Sequence, residues 1–156
     1  MVVTNAMRLL KQAGIEFDTS TYEVDESDLS GVHCAEMLGA DPDCVFKTLV
    51  CRSDKKALYV FCIPVAQELD LKKCAAVTGD KRIEMIAVKE LLPLTGYIRG
   101  GCSPVGMKKL YPTHIDELAT LYDTVYVSGG QRGLQLILNP VALADYVGAV
   151  FADVTK

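Results

Sequence analysis

The sequence is poor in the features that mark metal sites and membrane segments. It has only two histidines, His33 and His114, and neither has a ligand-like neighbour at helical spacing. A representative long apolar run, Ala57–Pro64, is far shorter than the roughly 20 residues needed to cross a bilayer. The first residues, MVVTNAMRLLKQAG, lack the pattern of a signal peptide. These absences argue against a membrane span and predict a metal-free protein of the cytoplasm.

Disulfides are also poorly supported. Six cysteines are present, but no pair has C-x-x-C spacing. Cys51 and Cys62 lie in apolar, strand-like runs, where a free thiol packs as a small core residue. We therefore expect reduced and mostly buried thiols, with zinc ligation as the less favoured alternative.

Positive charge is not in excess. The chain carries 16 Lys and Arg against 20 Asp and Glu, a net charge of −4, which argues against coating nucleic acid by bulk electrostatics. Basic residues are nevertheless clustered locally at Lys55-Lys56, Lys72-Lys73, Lys81-Arg82 and Lys108-Lys109, and Arg99 and Arg132 stand among glycines. Each cluster is either a solvated surface or part of a small phosphate-binding patch.

Hydrophobic periodicity predicts a mixed α/β chain of 156 residues, read as one domain over residues 1–156. Predicted helices lie within Met1–Gly14, Ser30–Gly39, Asp70–Thr78, Ala87–Leu92 (stopped by Pro93) and Val141–Val147, with Pro140 at the first position. Predicted strands are Ile15–Val24, Val45–Arg52, Ala57–Pro64, Lys81–Met85, Thr124–Ser128, Leu134–Leu138 and Phe151–Val154. Because strands and helices do not alternate strictly, we expect a mixed, barrel-like sheet surrounded by helices, not a doubly wound parallel sheet.

Lys47 interrupts the apolar stretch VFKTLVC. In a strand it shares a face with Val45 and Leu49, while Phe46 and Thr48 face the other side. Burial of an unpaired ammonium is costly. Two readings follow: an edge lysine whose head group reaches water, or a lysine that lines a cavity and holds an anionic or ester-like ligand.

Two glycine-rich loops offer backbone N–H groups to a ligand. They are Gly100–Pro104 (GGCSP) and Ser128–Gly133 (SGGQRG), and the second adds a hydroxyl and a guanidinium. Neither loop matches the dinucleotide or P-loop fingerprints, and no G-x-S-x-G elbow exists. A tight hairpin explains either loop alone. The residues therefore predict a cavity without identifying its substrate.

Four segments in order resemble the YbaK/EbsC proteins, which are free-standing relatives of the editing domain inserted in bacterial prolyl-tRNA synthetases. The segments are VFKTLV, PVAQELDLKK, TGYIRGGCSPVG and YVSGGQRGL, and the similarity runs from about residue 3 to residue 154. The resemblance implies an editing-domain-like fold and an aminoacyl-tRNA deacylase. It implies hydrolysis of the ester of misacylated tRNA, typically Cys-tRNA(Pro) and in a broader reading also Cys-tRNA(Cys).

The resemblance also suggests where the site lies. The essential lysine of the family falls on Lys47, its G-x-x-x-P loop on Gly100 and Pro104, its loop serine on Ser128 and its tyrosine on Tyr22. We expect catalytic roles for Lys47, Gly100, Gly101 and Ser128, and substrate contacts from Tyr22, Thr48, Pro104, Gly129, Gly130 and Arg132. One position departs, because Gln135 stands where close relatives often carry aspartate. No cofactor or metal is implied.

These positions suggest a mechanism of ester cleavage. The N–H groups of the glycine loops stabilise the negative charge that develops on the ester oxygen, while Lys47 clamps the substrate. The nucleophile is either the thiol of the substrate or a water molecule. The partners implied are the acceptor end of tRNA(Pro) and prolyl-tRNA synthetase. The alternatives are a deacylase for another small amino acid, as in Ala-tRNA(Pro), and a nucleotide- or RNA-binding module without catalysis.

Overall fold

The computed structural model describes residues 3–156 and arranges them as a mixed α/β fold. Its α-helices are α1 (Asn5–Gln12), α2 (Gly31–Leu38), α3 (Leu71–Thr78), α4 (Val88–Thr95) and α5 (Pro140–Val147). Its strands are β1 (Asp18–Thr21), β2 (Phe46–Ser53), β3 (Leu58–Pro64), β4 (Ile83–Met85), β5 (Thr113–Asp116), β6 (Val125–Ser128), β7 (Leu134–Leu138) and β8 (Val150–Ala152). A 3₁₀ turn covers Glu117–Leu121. Met1 and Val2, at the start of the first predicted helix, lie outside the described residues.

The strands form two sheets. One has the order β1-β7-β6 with antiparallel pairing, and the other has the order β4-β2-β3-β5-β8. In the second sheet β4, β2 and β3 are antiparallel, whereas β3, β5 and β8 are parallel. A parallel bridge between Val45 and Tyr126 connects the two sheets. The expected mixed sheet architecture with surrounding helices is confirmed, and it is divided between these two sheets.

Pairing along β2 is incomplete on one side. β2 pairs with β3 over Phe46–Arg52, but with β4 only over Cys51–Ser53. On the open side the bridge at Val45 lies at one end of the strand and the β4 ladder at the other. No strand covers the edge between them within the described part of the chain.

The hydrogen-bond register shows which groups face this open edge. At the two ends of the hairpin, Val65 N donates to Val45 O and Ser53 N donates to Ala57 O, both at 2.8 Å. Odd-numbered residues of β2 therefore direct their main chain toward β3, because antiparallel pairs alternate. The main-chain N–H and C=O of Thr48 consequently point to the open edge of β2.

Two hydrophobic clusters hold the sheets in place. The larger lies between the two sheets, α1 and α5, and contains Leu136 and Phe46 at 0% and 3% exposure. The smaller packs the other face of β2 and β3 against α3, with Phe61 fully buried and Leu49 at its margin. Phe46 and Leu49 thus lie on opposite faces of β2, as the alternation predicts.

Helix ends follow the sequence signals closely. The side chains of Ser30, Asp70 and Asn139 accept hydrogen bonds from the first turns of α2, α3 and α5. The same three helices end at glycines in the left-handed conformation. None of the helices in residues 3–156 is long and apolar enough to cross a membrane.

The prediction that Pro93 stops the fourth helix was wrong, because α4 continues to Thr95. Proline removes the hydrogen bond to the carbonyl four residues earlier, here that of Lys89. Both Lys89 and Pro93 are exposed, so water can solvate that carbonyl. The Thr95 hydroxyl donates to Leu91 O at 2.7 Å and supports the last turn.

The expectation of mostly buried thiols is confirmed. All six cysteines are free, and only Cys44 is less than fully buried. Burial raises the pKa of four of these thiols to about 12, from an ordinary value of 9.0: Cys51, Cys62, Cys74 and Cys102. The folded state therefore keeps them protonated under conditions in which an unfolded chain would ionise them.

We predict a cysteine-linked loss of stability at alkaline pH. Since the folded pKa is raised, the unfolded state gains stability by releasing protons as the pH rises from 9.0 toward about 12. The free energy of unfolding, measured by denaturant titration, should fall over this range. The variant Cys62→Val should lose less stability than the wild type; an identical loss in both proteins would contradict the assignment to buried thiols.

Candidate functional site

A cleft of about 620 Å³ opens beside the unpaired edge of β2. Its walls are the N-terminus of α2, the segment from β4 into α4, the loop around Gly100 and the ends of β6 and β7. The gap in strand pairing thus creates the space. A second, shallower groove lies beside α1 and contains none of the predicted site residues.

Lys47 is half-buried and lines this cleft. Its ammonium forms no ion pair or hydrogen bond with the residues described. Burial lowers its pKa from the ordinary 10.5, and the charge of Glu68 opposes that effect. A partly desolvated cation without a counter-ion is suited to hold an anionic or ester oxygen of a ligand.

Five of the ten predicted site residues line the cleft: Tyr22, Lys47, Thr48, Gly100 and Ser128. The other five do not line it: Gly101, Pro104, Gly129, Gly130 and Arg132. They belong to the same two glycine loops that carry Gly100 and Ser128. Their geometry supports a positioning role more directly than a contact with substrate.

The two glycine loops are fastened to each other. Arg132 Nε donates to Arg99 O at 2.8 Å. A Cβ atom at Gly101 would lie 3.1 Å from the backbone of Gln131 and Arg132, so the absence of a side chain there permits the close approach. This contact fixes Gly100 at the wall of the cleft.

Tyr22 is tied to the second loop through its main chain. Tyr22 N donates to Gly133 O at 3.0 Å, and a Cβ at Gly133 would lie 2.9 Å from Tyr22 O. Burial, and to a smaller extent the neighbouring Cys34 thiol, raises the pKa of Tyr22 to about 12. Its hydroxyl therefore stays protonated and is available to the cleft as a neutral polar group.

Ser128 and Gln135 are cross-strand neighbours on β6 and β7. Both are buried and both line the cleft, with exposed fractions of 7% and 5%. Ser128 Oγ accepts from Gly130 N at 3.2 Å, whereas Gln135 Oε1 has no partner among the described residues. The amide at position 135 makes this wall neutral where an aspartate would add negative charge.

The lining of the cleft contains neither carboxylate nor imidazole in the part of the chain that the structure describes. Its two charged residues are Lys47 and Arg99, both cationic. Cys34 and Cys102 also line it, and burial raises the pKa of both thiols. The cleft thus presents positive charge and hydrogen-bond donors without an obvious protein base or thiolate nucleophile.

Several lining residues were not predicted from the sequence. They are Arg99, the first turn of α2 and the apolar side chains of Met85, Val88 and Leu91. Arg99 was noted only as a cation among glycines. No sequence pattern indicated Met85 and Val88 as site residues, since a single apolar residue at the end of a short strand or the start of a helix is common in proteins.

Comparison with known proteins places the chain in a family. The family model described as "aminoacyl-tRNA editing domain" matches residues 30–146. An Enterococcus faecalis protein, EbsC, named as a candidate Cys-tRNA(Pro)/Cys-tRNA(Cys) deacylase, is 44% identical over 152 residues. The match covers 97% of this chain and 93% of that protein.

Solved structures share the fold. A candidate trans-editing enzyme for prolyl-tRNA synthetase superimposes with a TM-score of 0.82 at 26% identity, covering 100% of this chain and 99% of that one. The hypothetical protein APE2540 superimposes with a TM-score of 0.86 at 24% identity, over 96% of this chain and 97% of that one. The chain belongs to the aminoacyl-tRNA editing domain family, of the YbaK/EbsC type, and is an aminoacyl-tRNA deacylase.

Proposed function

We propose that this chain removes cysteine from mischarged tRNA, with Cys-tRNA(Pro) as the main substrate and Cys-tRNA(Cys) as a second one. The observation that carries the proposal is the cleft itself, with an unpaired ammonium, backbone donors and neither carboxylate nor imidazole in its described lining. Such a site suits a substrate that brings its own nucleophile. The relative named for these two substrates supports the same choice. We treat residues 1–156 as one editing unit.

The proposed reaction begins with the cysteinyl thiol. Its sulfur attacks the ester carbonyl carbon, a carbon–sulfur bond forms, and the bond from that carbon to the ribose oxygen breaks. The thiol proton is transferred, through solvent, to the departing ribose oxygen. The cyclic thiolactone that leaves is then hydrolysed by water to free cysteine.

The protein contributes position and charge to this step. A cleft that folds the cysteinyl group toward its own carbonyl supplies proximity, which at its limit lowers a barrier by roughly 7–11 kcal/mol. The Gly100 loop lies at the wall where backbone N–H groups can stabilise the oxyanion. Lys47 supplies a cation beside the same space, and its role is to clamp the substrate oxygen atoms.

Contacts with the tRNA body are limited by the charge distribution. Lys73 Nζ is already held by Asp153 and by Thr155 O, at 3.0 and 2.7 Å. Lys72 and Lys109 are exposed and remain candidates for phosphate contacts. With a net charge of −4 these contacts are weak, so we propose that prolyl-tRNA synthetase assists in presenting the tRNA.

Replacement of Lys47 tests the assigned site. Lys47→Ala should lower kcat/KM for deacylation of Cys-tRNA(Pro) about 10²–10³-fold, the range expected for loss of one preorganised charge-stabilising group. Circular dichroism should show an unchanged fold. Lys55→Ala, which removes an exposed lysine from the β2–β3 hairpin, is the matched control and should retain activity. Full activity of Lys47→Ala would refute the site.

The identity of the nucleophile is tested on the substrate. Cys-tRNA(Pro) should be deacylated rapidly, whereas S-methylcysteinyl-tRNA(Pro) and Ala-tRNA(Pro) should react at least about 10³-fold more slowly. A chemical requirement of this kind exceeds what a pocket achieves by size, which is about 10–200-fold per methylene group. Equal rates for the three esters would favour attack by water.

Arg99 provides a test of how the acceptor end binds. It is exposed at the cleft, and its side chain has no ion-pair partner among residues 3–156. Arg99→Ala should lower kcat/KM for Cys-tRNA(Pro) several-fold and reduce the steepness of its salt dependence by about 0.7, the value for one phosphate contact on a single strand. Arg8→Ala on α1 serves as control. An unchanged salt dependence would exclude a phosphate contact at Arg99.

A further inference from the structure

We propose that the outer half of the cleft is a binding site for the terminal adenine of the tRNA acceptor end. In this arrangement the main-chain N–H and C=O of Thr48 read the edge of the base, and Met85 and Val88 pack against its face. The inference rests on the proposed function, because it places the adenine in the part of the same cleft that the cysteinyl group of the substrate does not fill.

The size of the cleft calls for a ligand larger than an amino acid. A volume of about 620 Å³ lies within the roughly 300–1,000 Å³ that holds a drug-sized molecule. The groups proposed to act on the ester, Lys47 and the Gly100 loop, occupy only one part of the lining. The rest of the space continues along β2 toward β4 and α4.

That outer part is an apolar shelf, defined here as Met85, Val88 and Leu91. Met85 and Val88 line the cleft and yet are 53% and 63% exposed. Val32, on α2, also lines the cleft and is 41% exposed. Such concentrated exposure of large apolar side chains at a cleft marks a surface that a ligand covers, and a flat aromatic base covers it well.

The unpaired edge of β2 supplies the polar part of the recognition. Thr48 directs its N–H and C=O to the side of β2 that lacks a strand, and Ile86 N donates to Val50 O two residues further on. A strand rises about 3.3 Å per residue, so these groups lie close to the shelf. Because no strand in residues 3–156 bonds these main-chain groups of Thr48, a ligand in the cleft can provide their hydrogen-bond partners.

Adenine matches this pair of main-chain groups. Its N1 accepts a hydrogen bond while its N6 amino group donates one, so a neighbouring N–H and C=O can engage both. Inosine reverses both groups, because it has a carbonyl at position 6 and a proton on N1. In the orientation that pairs adenine, inosine would set its O6 acceptor against the C=O and its N1 proton against the N–H, so in that orientation the edge selects adenine over its deaminated form.

The first experiment compares two small esters that lack phosphate. The wild-type protein is assayed with 3′-O-cysteinyl-adenosine and 3′-O-cysteinyl-inosine, which carry the same ester on the same ribose. We expect kcat/KM to be about 10–100-fold higher for the adenosine ester. Equal values for the two esters would overturn the adenine assignment while leaving the deacylase proposal intact.

The second experiment tests the shelf. Met85→Ser and Val88→Ser should raise KM for 3′-O-cysteinyl-adenosine several-fold with little change in kcat, and should leave turnover of cysteine ethyl ester unaltered. Leu121→Ser removes an apolar side chain that is 74% exposed and does not line the cleft, so it is the matched control. Unchanged KM in both shelf variants would overturn the proposed packing.

A binding measurement separates this inference from the proposed function. Adenosine monophosphate, added to the ¹⁵N-labelled protein, should shift the amide signals of Thr48 and Met85, and inosine monophosphate should not. If the protein fails to deacylate Cys-tRNA(Pro) and Cys-tRNA(Cys) and still shows this selective shift, the proposed function falls and the adenine site stands. If both nucleotides shift the same signals equally, or neither shifts them, the adenine site falls.

Discussion

The incomplete pairing of β2 is the constraint on which the site depends. The strand is bonded to β3 along its length, but its other edge meets the second sheet at Val45 and β4 only from Cys51 onward. Between these points the two sheets diverge, and the cleft occupies the space between them. A further strand paired along this edge would have filled the space of the cleft that Lys47 lines.

The glycine loops convert this gap into a defined site. Arg132 holds the carbonyl of Arg99, and Gly101 allows the second loop to approach the first without a side chain between them. Rigid contacts of this kind place Gly100 across from β2 before any ligand binds, and preorganised donors stabilise developing charge more effectively than flexible ones. The surplus of donors over bases in the described lining is the reason for proposing the substrate thiol as the nucleophile.

Local sequence signals predicted much of this arrangement. The caps of α2, α3 and α5 were readable because each depends on residues adjacent to the helix, and the apolar run around Lys47 identified β2 in the same way. The resemblance to a known family then supplied Gly100, Ser128 and Tyr22 as members of the site, and all three line the cleft. These assignments of role remain predictions.

Other features depend on contacts that the sequence does not display. Strand β5 reads THID, which has no clear alternation, and it forms because β3 and β8 bind it on both sides. The shelf residues Met85 and Val88 reach the cleft only because β4 pairs with the end of β2. Arg132 was expected to touch substrate, but its hydrogen bond to Arg99 O is a tertiary contact between loops 33 residues apart.

The most direct test of the account is a crystal structure with a non-hydrolysable substrate analogue, 3′-cysteinylamino-3′-deoxyadenosine. We predict that its amide carbonyl lies between the Lys47 ammonium and the Gly100 loop, with the nucleoside extending along the open edge of β2. An analogue bound in the groove beside α1, or one whose carbonyl lies far from Lys47, would contradict the central claim.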